Sequence, residues 1–278
     1  MILTLEETKQ LADDLYNFFG YSVASYDAAY LQRMFISFSN QYKCTKLEEL
    51  KKLLLQDETL ILEFVDKLFI NVSQMFRDPA VFQQIREKII PQIATHPIIK
   101  IWSAGCGKGQ EVYSLAILLL EAGLYERAII YATDADAKAI ECAMEGAYSV
   151  EESLGYMQNY YLSGGVEKFS NYYSILGDKI VMSQKLKDNI CFAKHNIITD
   201  EVFNTFSLIV CRNMFIYFGG ELQSKGLRTF YESLEDEGFL VMGKSEGMHY
   251  NQGKKYFKEY DEHNKIYKSL AQGTKGIL

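Results

Sequence analysis

Residues 101–115 read IWSAGCGKGQEVYSL, with glycines at 105, 107 and 109 and an acid at 111. Glycine adopts left-handed backbone at no steric cost and lets a ligand approach the main chain. A turn of this kind between a strand and a helix is a nucleotide position in doubly wound proteins. The neighbours decide the ligand. A phosphate-binding P-loop needs G-x-x-x-x-G-K-[ST]; here Lys108 precedes its glycine and no Ser or Thr follows, so that pattern fails. The dinucleotide pattern G-x-G-x-x-G fails as well, because Gln110 stands where the third glycine belongs. Glu111 would also confront a pyrophosphate at the helix N-terminus. A cationic ligand reverses that objection. S-adenosylmethionine carries a sulfonium and an ammonium against one carboxylate, and Asp134, closing AIIYATD, is placed to take its ribose hydroxyls. Gly105, Glu111 and Asp134 together therefore favour S-adenosylmethionine over a nicotinamide dinucleotide. A plainer alternative, that both acids only complement helix N-termini, stays open at this point.

Little else invites chemistry. His96, His195, His249 and His263 lack the spacing of metal ligands, so no metal is expected. Five cysteines, at 44, 106, 142, 191 and 211, match neither a disulfide framework nor a zinc motif and suit a reducing cytoplasm. Cys106 and Cys211 flank the expected pocket without a histidine near in sequence, which assigns them to packing. The 278 residues are 48% hydrophobic and 14% aromatic, enough for one large domain or two modest ones. A net charge of −7 argues against nucleic acid as a partner. No apolar run reaches the roughly 18 residues of a membrane span. The segment MILTLEETKQ has no basic stretch and carries early acids, unlike a signal peptide.

The elements that must position these residues fall into two groups. Residues 1–75 read as an all-helical N-terminal domain. Capping boxes Thr4/Glu7 and Thr45/Glu48 start two helices, with a second helix over 27–42 and a fourth over 57–70. Asp78-Pro79 reads as an N-cap and first turn of a helix running to 94, with Phe82, Ile85, Ile89 and Ile93 on one face. From 76 to 278 strands alternate with helices: strands at 98–104, 128–134, 189–195, 206–212 and 238–244, helices at 110–121, 136–145 and 221–234. That alternation predicts an α/β, doubly wound, Rossmann-like sheet. The segment KYFKEYDEHNKIYKSL adds two strands, expected as antiparallel edge strands. Residues 149–186 interrupt the alternation and read as a small inserted subdomain, with a helix over 151–162 and a β-hairpin turning at Gly177-Asp178 in type II′ geometry.

Five blocks in order resemble the CheR-type glutamate methyltransferases of chemotaxis receptors. NVSQMFRDP is similar to that family's N-x-T-x-F-F-R-[DE]; IWSAGCGKGQEVYSLAILL resembles WSAGCSTGEEPYSLA; ATDADAKAIECAMEGAYS, FSLIVCRNMFIYF and GFLVMGKSEGM resemble ATDID…A..G.Y, FD-[LV]-I-x-C-R-N-V-L-I-Y-F and GxLxLGHSE. The resemblance implies a methyltransferase sheet and an S-adenosylmethionine cofactor contacted by Asn71, Ser73, Arg77, Gly105, Glu111, Asp134, Asn196, Ile197, Arg212 and Asn213. It places Arg77 near the reacting methyl group and Tyr217 beside the acceptor, the two residues expected to be catalytic. The acceptor it implies is a glutamate side chain of a chemoreceptor's cytoplasmic domain, in chemotaxis adaptation, with S-adenosylhomocysteine as product. A glutamate is already ionised at neutral pH, so no general base is required. Arg77 would orient the acceptor carboxylate and Tyr217 would donate to it.

Two departures bear on these expectations. The loop reads GKGQE where the family has STGEE, which adds Lys108 and loses an acid at Gln110. Residues 1–70 hold seven Lys/Arg and eleven Asp/Glu, a net of −4, so an acidic receptor bundle gains little steering from them. In some members the inserted hairpin takes a receptor's C-terminal peptide as an extra strand. The alternatives are the same methyl transfer to another protein or a small carboxylate, and a signalling module that binds the cofactor without turnover.

Overall fold

Strand β1 (Ile99–Ala104) is buried along its length apart from Lys100, the pattern of a central strand covered on both faces. It pairs in parallel with β2 (Ala128–Asp134) on one side and β7 (Phe206–Cys211) on the other. The computed structural model describes residues 2–19, 26–57, 60–61, 63–64, 67, 73–215, 218, 220–246 and 252–271. The chain divides into two units, residues 1–70 with 215–223, and residues 71–214 with 224–278.

The second unit is built on a seven-stranded sheet in the order β6-β2-β1-β7-β8-β10-β9, with β6 at Ile190–Lys194, β8 at Leu234–Met242, β9 at Phe257–Asp261 and β10 at Ile266–Ser269. The first five strands in that order are parallel; β10 runs antiparallel to both β8 and β9. The chain leaves β1 towards β2 and later crosses back to β7, so strand order reverses between β1 and β7. A ligand crevice belongs outside the carboxyl ends of the strands at such a point. The architecture is the expected α/β, doubly wound, Rossmann-like one. Of the two late strands expected at an edge, only β9 lies there, because β10 is enclosed between β8 and β9; β6 forms the opposite edge.

The helix after Asp78 has three parts: α4 (Pro79–Gln84), a π-helical stretch (Ile85–Ile89) and α5 (Ile90–Ile93). Pro91 has no N–H to give the carbonyl four residues back, and the wider turn just before it absorbs that missing bond. Phe82, Ile85, Ile89 and Ile93 are all buried, as the periodicity predicts. Asp78 corrects one expectation: its φ is +57° and its side chain makes no capping bond. Further along lie α6 (Gln110–Glu121) and α7 (Ala137–Glu145), the latter capped by Asp136.

The insertion forms a separate three-stranded sheet, β3-β5-β4 (β3 Ala147–Ser149, β4 Tyr173–Leu176, β5 Lys179–Met182). The sequence pattern missed β3, which has only three residues. Gly177 has φ +63° and Asp178 is not left-handed, as a II′ turn requires. Helix α8 (Val150–Leu162) starts at a capping box, Ser149 with Glu152; α9 (Gln184–Lys187) and α10 (Gly220–Glu232) complete the set.

The first unit holds α1 (Leu5–Phe19), α2 (Ala28–Gln41) and α3 (Leu47–Gln56) around Leu11, Leu15, Leu31, Phe35, Leu50 and Phe64. Phe35 and Phe64 stack at 4.5 Å. The Thr4/Glu7 box forms with Thr4 N–H on Glu7 Oε2 at 2.8 Å. In α3 it is Glu49, rather than Glu48, that accepts from Thr45 N–H at 2.7 Å, one residue later than the spacing implied. Most of the fourth helix expected over 57–70 lies outside the described residues.

Glu121, at the end of α6, fastens the insertion to the sheet. It accepts from the Tyr160 hydroxyl of α8, from the Tyr172 hydroxyl at 2.7 Å and from Arg86 Nη1 at 2.5 Å. Removing a part-buried acid that satisfies two hydroxyls and an arginine costs about 1–3 kcal/mol. Glu121→Ala is expected to cost about that much in urea unfolding; a loss under about 1 kcal/mol would show that water replaces the carboxylate.

Candidate functional site

The glycine loop occupies the carboxyl end of β1. All three glycines are left-handed, with φ of +72°, +54° and +90° at Gly105, Gly107 and Gly109, so their spacing is a conformational demand. A Cβ on Gly105 would come within 2.9 Å of Met214 Sδ, and one on Gly109 within 2.9 Å of Ala143 Cβ. The Thr133 carbonyl accepts from Gly105 N–H at 2.8 Å and from Cys106 N–H at 2.9 Å. Lys108 is exposed, so its charge sits in solvent.

Asp134 ends β2 beside the loop. Its carboxylate accepts from Gly107 N–H at 2.8 Å and from Asp136 N–H at 3.0 Å. Burial pushes this carboxyl above its ordinary range, against the pull of those backbone donors. Asn196 and Ile197 follow β6; Asn196 Oδ1 accepts from Ile198 N–H at 2.9 Å and Ile197 is buried.

Arg212, at the end of β7, joins the sequence blocks. Its side chain is 2% exposed; Nη1 donates to Glu111 Oε2 at 3.1 Å and Nη2 to the Asp78 carboxylate. Its Nε is buried and has no hydrogen-bond partner. The guanidinium carbon lies 5.7 Å from the centre of the Phe82 ring. Burial raises the Glu111 carboxyl; Arg212, Ser103 and Arg77 act the other way. Glu111 is thus not an isolated acid at a helix N-terminus, and Asp78, read from sequence as an N-cap, faces Arg212. Lys244 Nζ stands 3.9 Å from Asp78.

Backbone strain gathers around these groups. Phe76, Asp78 and Asn213 have φ of +53°, +57° and +62°, each costing on the order of 1–3 kcal/mol. Phe76 is held by its N–H on Ser114 Oγ at 2.9 Å and by ring contacts with Phe82 and Tyr160. Between Phe76 and Asp78 stands Arg77, half-buried; Ser73, also half-buried, lies just upstream. Asn213 is held by its N–H on Glu246 Oε2 at 3.0 Å, and Glu246 also accepts from Gly243 N–H at 2.5 Å. A Cβ on Gly243 would come within 2.6 Å of that carboxylate oxygen. Sequence pattern assigns Glu246 no role; its place in GKSEG, which begins at Gly243, is the signal that points to it. Asn71 and Tyr217 lie outside the described residues. The structure thus brings Gly105, Glu111, Asp134, Arg212 and Asn213 to one end of the sheet and couples Arg77 electrostatically to Glu111.

These groups fit S-adenosylmethionine: bare left-handed backbone beside β1, a carboxylate ending β2, a buried acid, and an orphaned guanidinium Nε able to meet a carboxylate. Among the described residues no cluster of His, Cys, Asp and Glu is able to hold a metal ion, and no helix is long and apolar enough to cross a membrane.

Residues 71–265 match the family profile of the CheR methyltransferase S-adenosylmethionine-binding domain. A candidate methyltransferase of Pseudomonas putida, Cher3, is 39% identical over 88% of this chain and 90% of its own length. A chemotaxis protein methyltransferase of Listeria monocytogenes is 30% identical over 82% of this chain and 84% of its own. Among solved structures, the N-methyltransferase NodS from Bradyrhizobium japonicum, with S-adenosylhomocysteine, is 11% identical with a TM-score of 0.41, covering 73% of this chain and 94% of that one.

Cys106 and Cys211 are buried beside the loop and β7, and burial pushes both thiols well above their ordinary value. They are packing groups rather than nucleophiles. Alkylation of the native protein at pH 8, read by peptide mass spectrometry, should label the exposed Cys142 and Cys191 and spare Cys106 and Cys211 until urea is added. Rapid native labelling of Cys106 would contradict this packing.

Proposed function

The chain belongs to the CheR methyltransferase family, and from that premise we propose that it transfers the methyl group of S-adenosylmethionine to glutamate side chains of chemoreceptors, in chemotaxis adaptation. The observation that carries the proposal is the match over 71–265, which takes in every block of the site, together with relatives named chemotaxis protein methyltransferases. The products are a glutamate methyl ester and S-adenosylhomocysteine. The reaction is placed in the cytoplasm, on the receptor's cytoplasmic domain, with the inserted hairpin as the place for a receptor C-terminal peptide.

Bound S-adenosylmethionine supplies a methyl group made electrophilic by its sulfonium, and the acceptor oxygen gains the C–O bond as the C–S pair returns to sulfur. The protein's share is to bind, orient and exclude water. Gly105 and its loop give the close approach of backbone. Asp134 takes the ribose hydroxyls, Asn196 and Ile197 the adenine, and Asn71, Ser73 and Asn213 complete the contacts. Glu111 faces the ammonium end while Arg212, through its spare Nε, meets the carboxylate. Two carboxylates, Glu111 and Asp78, share that one guanidinium. Arg77 orients the acceptor carboxylate and Tyr217 donates a hydrogen bond to it. No base is needed, since the acceptor carboxylate is ionised at neutral pH.

The acidic balance of residues 1–70 favours a second reading, methyl transfer to an acceptor other than an acidic receptor bundle, by the same site.

Incubation with methyl-labelled S-adenosylmethionine and the organism's membrane fraction should give base-labile label on a receptor-sized band. Label on a different protein would select the second reading; none, with cofactor binding intact, would refute the receptor reading. Arg77→Ala and Tyr217→Phe should lower transfer at least tenfold while changing cofactor affinity less than threefold, read by calorimetry and initial rates. Cofactor affinity should also fall as pH drops from 7 to 5. Both Glu111 and Asp134 bind protons above the ordinary carboxylate range; protonation costs Glu111 its charge towards the ammonium and Asp134 acceptor capacity towards the ribose hydroxyls. Glu111→Gln should flatten that dependence.

A further inference from the structure

A loop with three left-handed glycines is costly to order, because glycine loses the most backbone freedom on folding. Something must hold it. On one side Asp134 takes Gly107 N–H and the Thr133 carbonyl takes Gly105 and Cys106 N–H. On the other side the Tyr148 hydroxyl donates to the Lys108 carbonyl at 2.8 Å. Tyr148 is in β3, so this hold comes from the inserted sheet, outside the seven-stranded one.

The surroundings of Tyr148 are shaped for that contact. A Cβ on Gly109 would come 3.2 Å from its hydroxyl oxygen, so the hydroxyl lies against the last glycine of the loop. Its ring is 5% exposed and meets Tyr113 edge-on at 6.2 Å and Tyr156 at 6.0 Å. Gly146, with φ +57°, clears the space: a Cβ there would come within 2.4 Å of the Tyr113 oxygen. Burial pushes the Tyr148 hydroxyl well above its ordinary value, so it keeps its proton and remains a donor.

We propose that Tyr148 is a positioning residue for the cofactor loop, which holds Lys108 and Gly109 in the binding shape and makes cofactor affinity depend on the inserted sheet. The inference rests on the reading that this loop carries S-adenosylmethionine. The ring alone fills the core, and phenylalanine would fill it equally. The hydroxyl acts on the fraction of molecules whose loop is ready to bind, and apparent affinity scales with that fraction. It touches neither the acceptor nor the methyl group, so turnover of the loaded enzyme is outside its reach.

Tyr148→Phe is the test, with S-adenosylmethionine and S-adenosylhomocysteine as separate probes in calorimetry. Both should bind about fivefold more weakly, the effect of one lost hydrogen bond. The turnover number at saturating cofactor should stay within twofold. Without ligand, amides of residues 106–110 should exchange faster in the variant, and saturating S-adenosylhomocysteine should erase the difference. Unchanged binding and exchange in Tyr148→Phe, with normal binding by the unmodified protein, overturns the inference. Equal losses in affinity and turnover also overturn it, since they mark general damage to the fold. Failure of the unmodified protein to bind either probe overturns the cofactor reading instead, while the ligand-free exchange comparison still judges whether Tyr148 holds the loop.

Discussion

A guanidinium excluded from water must find acceptors, and Arg212 finds two on separate stretches of chain: Asp78 ahead of α4 and Glu111 at the start of α6. Taking the guanidinium away would strand both carboxylates without their shared cation, at several kcal/mol. The end of β7, the turn before α4 and the first turn of α6 are therefore fixed against one another by charge as well as by packing. The strain at Phe76, Asp78 and Asn213 becomes tolerable in that setting. Phe76 is locked by a buried aromatic group and a hydrogen bond to Ser114, Asp78 by Arg212, and Asn213 by Glu246.

Strain of this kind has a use where groups must be held rather than moved. Methyl transfer to a carboxylate that is already ionised needs no proton relay, only alignment. A site made of left-handed turns pinned by buried ion pairs and backbone hydrogen bonds suits that demand. The exposed Lys108 side chain adds no charge inside it, while Gln110 is buried at the start of α6.

The parallel half of the sheet was legible in the sequence because short apolar runs alternate with amphipathic helices, and β2 and α6 fall where the pattern put them. What escaped was set by contacts distant in sequence. Asp78 looks like a cap because it precedes proline, yet its carboxylate is claimed by an arginine 134 residues away. Glu49 displaces Glu48 because the chain enters α3 one residue later than the Thr45 spacing implied. Strand β3 is too short to show a period and exists because β5 pairs with it. Glu111 and Asp134 were visible as acids beside a loop, but the share of Arg212 in the first and of backbone N–H groups in the second was not.

The order β8-β10-β9 bears on how the molecule is made. Synthesis delivers β9 before β10, yet β9 has no partner in the sheet until β10 lies between it and β8. While a ribosome is still adding β10, β8 presents a bare edge, apolar at Phe239, Leu240 and Val241, of the kind that pairs with foreign strands. Sealing the sheet is thus a late event in the life of each nascent chain, and the interval before it is when a chaperone would matter most.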